Sequence, residues 1–229
     1  MPRPPDPQLD GLISLESTAS PGGAAHHAAP GADLDGRKVR GMRNRDAVVD
    51  AILSLLEEGD HAPSAAEVAE RAGVSLRSVF RYFDDLDSLF LAGIQRQAER
   101  TGHLYRPPRG TGSAADRVAA LVAQRRKLFE AIAPVRRTWV RRFDNHPAVT
   151  PVLRNIRTGL RQQIEVLFQA ELAGLPKAEA RDVVDAIDAA TSFQTWDFLR
   201  FEHGYAVGRA AASVRRTVAA LLRDAGISV

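Results

Sequence analysis

Apolar residues recur at helical spacing along most of the chain from Asn44 onward. The pattern is clearest over residues 44–59, where Val48, Ile52 and Leu56 follow one another at intervals of four and Gly59 ends the run. Intervals of three and four residues place apolar side chains on one face of a helix that packs against a core. No segment alternates with a period of two for long enough to indicate a strand. The pattern therefore predicts an all-α protein.

Two short helices are predicted after the first. Ser64 and Glu67 have the spacing of a capping box, so a second helix begins beside them and ends at Gly73. Ser75 has the chemistry of an N-cap, and the third helix runs from it through Phe83. Two short helices joined by a Gly-Val-Ser turn are the sequence pattern of a helix-turn-helix.

Pro-rich and Gly-rich breaks divide the rest of the chain. A fourth helix is predicted over 86–101, and the segment YRPPRGTGS over 105–113 separates it from the later helices. The first 36 residues are rich in Pro, Gly, Ala and Ser, which predicts a disordered tail. The predicted domains are that tail over 1–36, a helix-turn-helix domain with a basic arm over 37–85 and a second helical domain over 86–229. The later helices are predicted over 114–133, 135–145, 148–173, 177–202 and 206–225.

Charge adds one local feature to this picture. The net charge of +3 over 229 residues does not by itself indicate a nucleic-acid partner. However, five basic residues fall within nine positions that contain no acid, directly before the first helix, and a run of this kind is either a solvated lead-in or an arm that binds phosphates. The five residues are Arg37, Lys38, Arg40, Arg43 and Arg45.

Several function classes find no support in the sequence. The absence of cysteine excludes disulfides, thiolate metal sites and cysteine nucleophiles. There is no Gly-x-Ser-x-Gly elbow, no Gly-rich phosphate loop and no histidine pair at metal-ligand spacing, so we expect neither an enzyme nor a metal or cofactor. No apolar window is long enough for a membrane span and no signal peptide is recognisable, which predicts a cytoplasmic protein.

The third helix presents a surface suited to DNA. If Val68, Val79 and Phe83 face inward, the polar and aromatic residues of this helix point outward, as on a recognition helix in a major groove. Arginine hydrogen-bonds guanine edges or phosphates, and serine and tyrosine hydroxyls reach phosphates. An amphipathic helix with scattered charge is the alternative interpretation. The predicted DNA-binding residues are Arg37, Lys38, Arg40, Arg43, Arg45, Ser64, Ser75, Leu76, Arg77, Ser78, Phe80, Arg81 and Tyr82.

The segment EVAERAGVSLRSVFRYFDDLDSLF, Glu67 to Phe90, closely resembles the N-terminal signature of the TetR family of bacterial transcriptional regulators. By this resemblance Arg77, Ser78, Arg81 and Tyr82 occupy the usual DNA-contacting positions of the family. The chain departs from the signature at two positions. Phe80 stands where the family commonly has tyrosine, and Leu86 stands where it commonly has lysine, so anchoring to the DNA backbone is weakened unless the basic arm compensates.

The resemblance also implies a function for the second domain. Proteins of this family are typically repressors that bind a palindromic operator as homodimers through their last two helices, here 177–202 and 206–225. A small hydrophobic or amphipathic effector releases them. The alternative is an architectural or activating DNA-binding protein that has no effector. The candidate pocket residues are Phe129, Ile132, Trp139, Phe143, Ile164, Phe168, Phe193 and Trp196.

An arginine-rich segment lies among these pocket candidates. Four arginines flank two aromatic residues in PVRRTWVRRFDNH. The segment is either a binding site for an anionic amphiphile or, as is more common for such charge, a plain solvent-exposed face. The arginines are Arg136, Arg137, Arg141 and Arg142.

Overall fold

The computed structural model describes residues 31–59, 62–142, 146–147 and 149–229, with residues 31–38 and 139–142 described by their backbone alone. Within these ranges the regular elements are helices and none is a strand, which confirms the all-α prediction. In the same ranges a 3-10 turn (Gly102–Tyr105) and a π-helical turn (Phe198–Glu202) accompany ten α-helices. These are α1 (Gly31–Glu57), α2 (Ala65–Ala72), α3 (Leu76–Tyr82), α4 (Leu86–Thr101), α5 (Ala114–Arg142), α6 (Thr150–Leu167), α7 (Gln169–Leu172), α8 (Lys177–Ala190), α9 (Phe193–Asp197) and α10 (Val207–Asp224).

Helix α1 begins thirteen residues before the predicted start at Asn44. Residues 31–36, assigned by sequence to a disordered tail, are helical, and residues 1–30 of that tail lie outside the described residues. The basic segment 37–45 is likewise helical, so the expectation of a flexible arm is wrong for this structure. Once the packed part of a helix has formed, each further turn adds hydrogen bonds without a new nucleation cost, and arginine and lysine are good helix formers. The extension carries no apolar stripe, so periodicity did not reveal it.

Pro134 lies inside α5, where the sequence predicted a break between two helices. Proline removes one backbone donor and disfavours the helical conformation of the residue before it. The residues on both sides of Pro134, Ala133 and Val135, are nevertheless buried. Their burial offsets the cost of the proline, so one helix replaces the predicted pair over 114–133 and 135–145.

The predicted helices over 148–173 and 177–202 are each interrupted. Phe168 leaves the helical conformation between α6 and α7, with φ −105° and ψ 18°. Between α8 and α9, the Thr191 hydroxyl donates to the carbonyl of Ile187 and the Ser192 hydroxyl accepts from the backbone amide of Thr195. Serine and threonine side chains that bond nearby backbone groups compete with the helical ladder, which explains the second interruption.

The chain forms two compact units. Within the described residues the N-terminal unit contains 31–100 and 134–142, and the C-terminal unit contains 101–133 and 146–229. Helix α4, which the sequence prediction assigned to the second domain, belongs to the N-terminal unit. Leu89 and Phe90 of α4 are buried, and Arg96 and Arg100 bind carboxylates of α1. Arg96 lies 2.6 Å from Asp46 and 2.9 Å from Asp50, and Arg100 lies 2.8 Å from Asp50.

Each unit has its own apolar core. That of the N-terminal unit contains the α1 stripe together with residues of α2, α3 and α4: Val48, Ile52, Leu53, Leu56, Val68, Val79, Phe83, Leu89 and Phe90. That of the C-terminal unit draws on α5, α6, α8, α9 and α10: Val118, Leu121, Leu128, Phe129, Ile164, Phe168, Val184, Ile187, Trp196, Val214, Val218 and Leu222. Within the described residues no helix is both long and apolar enough to cross a bilayer.

A buried arginine lies beside the second core. Arg125 is 2% exposed and donates to the side chain of Gln163 at 2.9 Å, to the carbonyl of Leu160 at 2.8 Å and to the side chain of Gln124. Burial lowers the pKa of its guanidinium to about 10, so it keeps its charge at neutral pH. Gln163 also donates to the carbonyl of Tyr105. The network therefore joins α5 and α6 to the 3-10 turn.

Candidate nucleic-acid interface

Helix α2 begins with the predicted capping box. The Ser64 hydroxyl accepts from the backbone amide of Glu67 at 3.3 Å, and the Glu67 carboxylate accepts from the amide and hydroxyl of Ser64 at 2.8 and 2.6 Å. These hydrogen bonds, led by the one from the hydroxyl, lower the pKa of the Glu67 carboxyl. Ser64 is exposed, but its hydroxyl is already engaged in the cap. Its main contribution is therefore to fix the start of α2.

Gly73 makes the turn between α2 and α3. Its backbone is left-handed, with φ 65° and ψ 32°, and its amide donates to the carbonyls of Ala69 and Glu70. The amide of Val74 donates to the carbonyl of Ala69 at 3.0 Å. These bonds terminate α2 in the manner of a glycine C-cap, and glycine adopts the required positive φ without steric cost.

Helix α3 begins at the predicted N-cap. The Ser75 hydroxyl accepts from the backbone amide of Ser78 at 3.2 Å and lies 3.0 Å from the Ser78 hydroxyl. Val79 and Phe83 are buried, as predicted for the inward face. The outward face combines half-buried and exposed residues over fewer than two full turns: Ser78 and Tyr82 are half-buried, and Leu76, Arg77, Phe80 and Arg81 are exposed.

The two arginines of α3 differ in their surroundings. Arg77 makes no hydrogen bond or ion pair with any described residue. Arg81 donates to the Tyr82 hydroxyl at 2.8 Å, and its guanidinium lies 4.9 Å from the centre of the Tyr82 ring. Arg77 is thus available to an outside acceptor, whereas Arg81 and Tyr82 form a preoriented pair that presents several donors together.

The outward face of α3 also exposes two large apolar side chains. Phe80 is 51% exposed and Leu76 is 45% exposed, on a helix that otherwise presents polar groups. Single exposed apolar residues are ordinary, but adjacent ones on a short helix offer a surface for apolar contact, and the thymine methyl group is such a contact in the major groove.

The basic segment lies at the start of the N-terminal unit. Arg40 and Arg43 are exposed and have no ion-pair partner in the described part of the chain. The guanidinium of Arg45 lies 4.9 Å from the centre of the Phe83 ring, at the end of α3. The side chains of Arg37 and Lys38 fall outside the described residues. The structure therefore joins the end of the basic segment to the end of α3, a relationship that no local pattern in the sequence revealed.

An ion pair links the ends of α1 and α2, the two helices that precede the turn. Arg71, in the last turn of α2, donates to the two carboxylate oxygens of Glu58 at 2.7 and 2.8 Å and to the Ser54 hydroxyl at 2.9 Å. The hydrogen bonds from Arg71 lower the pKa of the Glu58 carboxyl. No sequence pattern indicated this pair, because its members are thirteen residues apart and Glu58 lies just beyond the end of α1.

Six of the eight candidate pocket residues lie together in the core of the C-terminal unit. The rings of Phe129 and Phe193 meet edge to face with centres 5.7 Å apart, and the Trp196 ring lies 6.4 Å from that of Phe129. The other three are Ile132, Ile164 and Phe168, all buried. Phe143 and the side chain of Trp139 fall outside the described residues.

The core has a polar border near Trp196. Its indole nitrogen donates to the Glu130 carboxylate at 2.8 Å, and Arg200 donates to the same carboxylate at 2.8 and 3.2 Å. Each candidate taken separately is an ordinary core residue, but together they form an aromatic cluster with an ion pair at its edge.

The arginine-rich segment does not form a uniform solvent-exposed face. Arg136 is 6% exposed and Arg137 is half-buried, and the side chains of Arg141 and Arg142 fall outside the described residues. For Arg136 the expectation of a plain solvent face is therefore wrong. Helical spacing explains the burial, because Arg136 lies four residues after Ile132 on a face that is already packed.

The chain is similar to known bacterial regulators in the part that carries this interface. Residues 48–92 match the family model described as "Bacterial regulatory proteins, tetR family". The match begins at the buried Val48 of α1 and ends within α4, so it contains the whole helix-turn-helix and leaves out the basic segment 37–45.

One curated relative and two solved structures extend the similarity. The HTH-type transcriptional regulator BetI of Burkholderia mallei (strain NCTC 10229) is 30% identical over 155 residues, which are 65% of this chain and 79% of that protein. A tetR-family transcriptional regulator from Streptomyces coelicolor superposes with a TM-score of 0.59 at 19% identity, covering 79% of this chain and 83% of that one. A transcriptional regulator from Rhodococcus sp. Rha1 has a TM-score of 0.59 at 20% identity, covering 82% and 98%.

Proposed function

The chain belongs to the tetR family of bacterial regulatory proteins, and from that premise we propose that it is a ligand-responsive repressor that binds a palindromic DNA site as a homodimer. It is a DNA-binding transcriptional regulator, and its relatives are regulators rather than enzymes, as the sequence motifs led us to expect. The observation that carries the proposal is the outward face of α3. Arg77 there is exposed and unpaired among the described residues, and Arg81 and Tyr82 are oriented by each other.

The proposed contacts follow from the chemistry of that face. Arg77 donates to a guanine edge, and Arg81 and Tyr82 donate to phosphates. Ser78 reaches either acceptor from the half-buried side of the helix. The basic residues of α1 add phosphate contacts, which replace the hydroxyl that Phe80 lacks. Leu76 and Phe80 supply the apolar part of the surface.

The proposed dimer uses the C-terminal helices. Phe198 is 51% exposed and Phe201 is 50% exposed on the π-helical turn between α9 and α10. Helix α10 exposes Gly208, Ala212 and Ala220 on its outer side, which permits close approach of a second helix. Half-exposed phenylalanines beside small residues favour an interface with a second copy, and two-fold symmetry pairs two recognition helices with a palindromic site.

The dimer is tested by its mass in solution. Each chain has a mass of 24.9 kDa. Light scattering coupled to size exclusion is expected to give twice that value for the wild-type protein. Replacing Phe198 and Phe201 together with serine is expected to shift the population toward the monomer, and a wild-type monomer at micromolar concentration would contradict the proposal.

The proposed effector site is the aromatic cluster of the C-terminal unit. A small hydrophobic or amphipathic molecule that separates the rings of Phe129, Phe193 and Trp196 has its polar end close to the Glu130–Arg200 ion pair. Such a ligand lowers DNA affinity only by its difference in affinity between the DNA-bound and the free conformers. Recognition helices held about 34–36 Å apart span one turn of DNA, and a changed separation releases the site.

An architectural or activating protein without an effector is the second candidate. The dense packing of the six candidate residues in the core favours it, because a filled core leaves a ligand less room. The two candidates differ in one respect: only a repressor of the proposed kind loses DNA when a small molecule binds.

The DNA-binding part of the proposal is tested by selection from a random duplex library at near-physiological salt. Sequencing of the retained duplexes is expected to give two half-sites related by inverted symmetry at a constant spacing. A retained pool without any shared sequence would contradict sequence-specific binding, and a single unrepeated half-site would contradict the dimer alone.

A further inference from the structure

Residues 39–47 of α1 contain no fully buried side chain. Val48 is the first buried residue in the part of α1 whose side chains the structure describes, which starts at Val39. Val39 is 37% exposed and Met42 is 63% exposed, so even the apolar residues of this part face solvent. No packing in the described residues explains why the segment should stay helical. Its conformation therefore depends on its own sequence and on whatever binds it.

Two arginines of the basic segment 37–45 have no acid partner in the described part of the chain. The first acids that follow it, Asp46 and Asp50, are already bound by Arg96 and Arg100 of α4. Arg40 and Arg43 find no acid among the described residues. The ion pairs of α4 thus bind the two acids that follow the segment, and the charges of Arg40 and Arg43 are left for an outside partner.

The intrinsic stability of the segment is low. Gly41 lies within it and Gly36 directly before it, and glycine is the poorest helix former after proline. Arg37, Arg40 and Arg43 follow at intervals of three, where like charges repel on a helix. Neutralisation by a row of phosphates removes that repulsion. Residues 37 to 45 rise about 12 Å along a helix axis, which is roughly the rise of three to four phosphates on one DNA strand.

The C-terminal end of the segment lies where DNA is expected. Arg45 stacks on Phe83, the residue that ends α3, so the basic part of α1 leaves the body of the protein beside the recognition helix. This placement rests on the proposed function, in which α3 lies in the major groove.

We infer that residues 37–45 bind the DNA backbone as a helix, a continuation of α1 that phosphate contacts stabilise, and do not bind as an extended arm in the minor groove. The helix adds affinity that does not depend on base sequence. Gly41 is its weakest point, and the stability of the helix at this residue limits how tightly the segment holds DNA.

Two substitutions of Gly41 test the inference without changing any charge. A Cβ at position 41 meets no atom within 4 Å, so alanine fits, and Gly41→Ala is expected to tighten binding by up to about fivefold, the equivalent of the roughly 1 kcal/mol by which alanine exceeds glycine in a helix. Gly41→Pro removes the helical hydrogen bond and is expected to weaken binding by at least tenfold. The measurement is the fluorescence anisotropy of a labelled 30-base-pair duplex of random sequence.

A charge variant separates the phosphate contacts from helix formation. Arg40→Ala combined with Arg43→Ala keeps good helix formers at both positions but removes two cations. It is expected to reduce the slope of log affinity against log salt by about two. A thermal melt of each variant that matches the wild type shows that the packed part of the N-terminal unit is intact.

The outcomes distinguish this inference from the proposed function. If the wild-type protein binds neither the random duplex nor a selected site, the proposed function fails. If the wild type binds and both Gly41 variants bind with its affinity, the segment is an extended arm and the helix inference is overturned. An unchanged salt slope for the double arginine variant overturns the inference as well, since it shows that these residues touch no phosphate.

Discussion

The guanidinium of Arg71 and the carboxylate of Glu58 share two hydrogen bonds, 2.7 and 2.8 Å long, between the end of α2 and the end of α1. This pair fixes α2 just before the Gly73 turn and so sets the direction in which α3 leaves it. A bidentate arginine–carboxylate pair holds both partners in one relative orientation, whereas a single bond allows rotation. The orientation of the recognition helix therefore depends on a contact outside the recognition helix.

Glu58→Gln is expected to destabilise the N-terminal unit at neutral pH and to have a progressively smaller effect as the pH falls below 4.5. The Arg71 hydrogen bonds lower the pKa of Glu58 in the folded state from its ordinary value of 4.5. The stabilisation is therefore present above 4.5 and is lost as the pH falls through the lowered folded value. Melting temperatures of both proteins from pH 7 to pH 3 measure the difference. Glu57→Gln, at an exposed neighbour, is the control, and a difference that does not shrink as the pH falls below 4.5 would contradict the prediction.

Gly73→Ala is expected to cost about 1–2 kcal/mol of unfolding free energy. The φ of 65° places the residue in the left-handed region, where a Cβ collides with the following carbonyl. Gly73→Asn is expected to cost less, because asparagine adopts this conformation more readily. Urea unfolding measures both variants. Gly41→Ala, at a helical glycine of the same unit with open space around it, controls for the added methyl group, and an equal loss of unfolding free energy at the two sites would contradict the explanation.

Arg77→Ala is expected to lose about 1–3 kcal/mol of discrimination between a selected site and random DNA. A residue that reads a guanine edge contributes to the selected sequence alone, so the affinity for random duplexes should change little. Anisotropy titrations with the two duplexes give the ratio. Arg126→Ala, at an exposed residue of α5, is the charge-matched control. A uniform loss on both duplexes would assign Arg77 to a phosphate instead.

Phe80→Tyr is expected to tighten DNA binding by about 0.5–1.5 kcal/mol, the net value of one hydrogen bond. Phe80 is 51% exposed, and the added hydroxyl restores the group that related regulators commonly carry at this position. Val166→Thr provides a control, because it also adds one hydroxyl to a side chain that is exposed, here in the C-terminal unit. If Phe80→Tyr leaves the affinity unchanged, the ring does not approach a phosphate.

Arg125→Ala is expected to destabilise the C-terminal unit by about 3 kcal/mol, because it removes packed volume and leaves buried carbonyl and amide oxygens without a donor. Arg126→Ala, at the exposed neighbour, is expected to change stability by less than about 0.5 kcal/mol. Chemical unfolding followed by circular dichroism compares the two. Similar small effects would show that the Arg125 network does not hold α5 to α6.

Local chemistry in the sequence was sufficient for the helix-turn-helix. The capping box at Ser64, the left-handed glycine at 73 and the N-cap at Ser75 each involve groups within five residues of one another, and the structure contains all three. Periodicity located the inward residues Val79 and Phe83 for the same reason, since it depends on one helix alone. Arg125 carried a signal of this kind as well, because it lies seven residues from both Val118 and Ile132 on the packed face of α5.

The sequence by itself determined the all-α class, the caps, the turn and the outward face of α3, because each follows from interactions between near neighbours. Only the tertiary structure decided that α5 continues through Pro134, that α4 packs with the N-terminal unit and that Arg45 stacks on Phe83. These features balance a local cost or a local preference against contacts between residues far apart in the chain. The long-range contacts form only when the helices pack against one another. No single segment of the sequence therefore contains both the local preference and the contacts that oppose it.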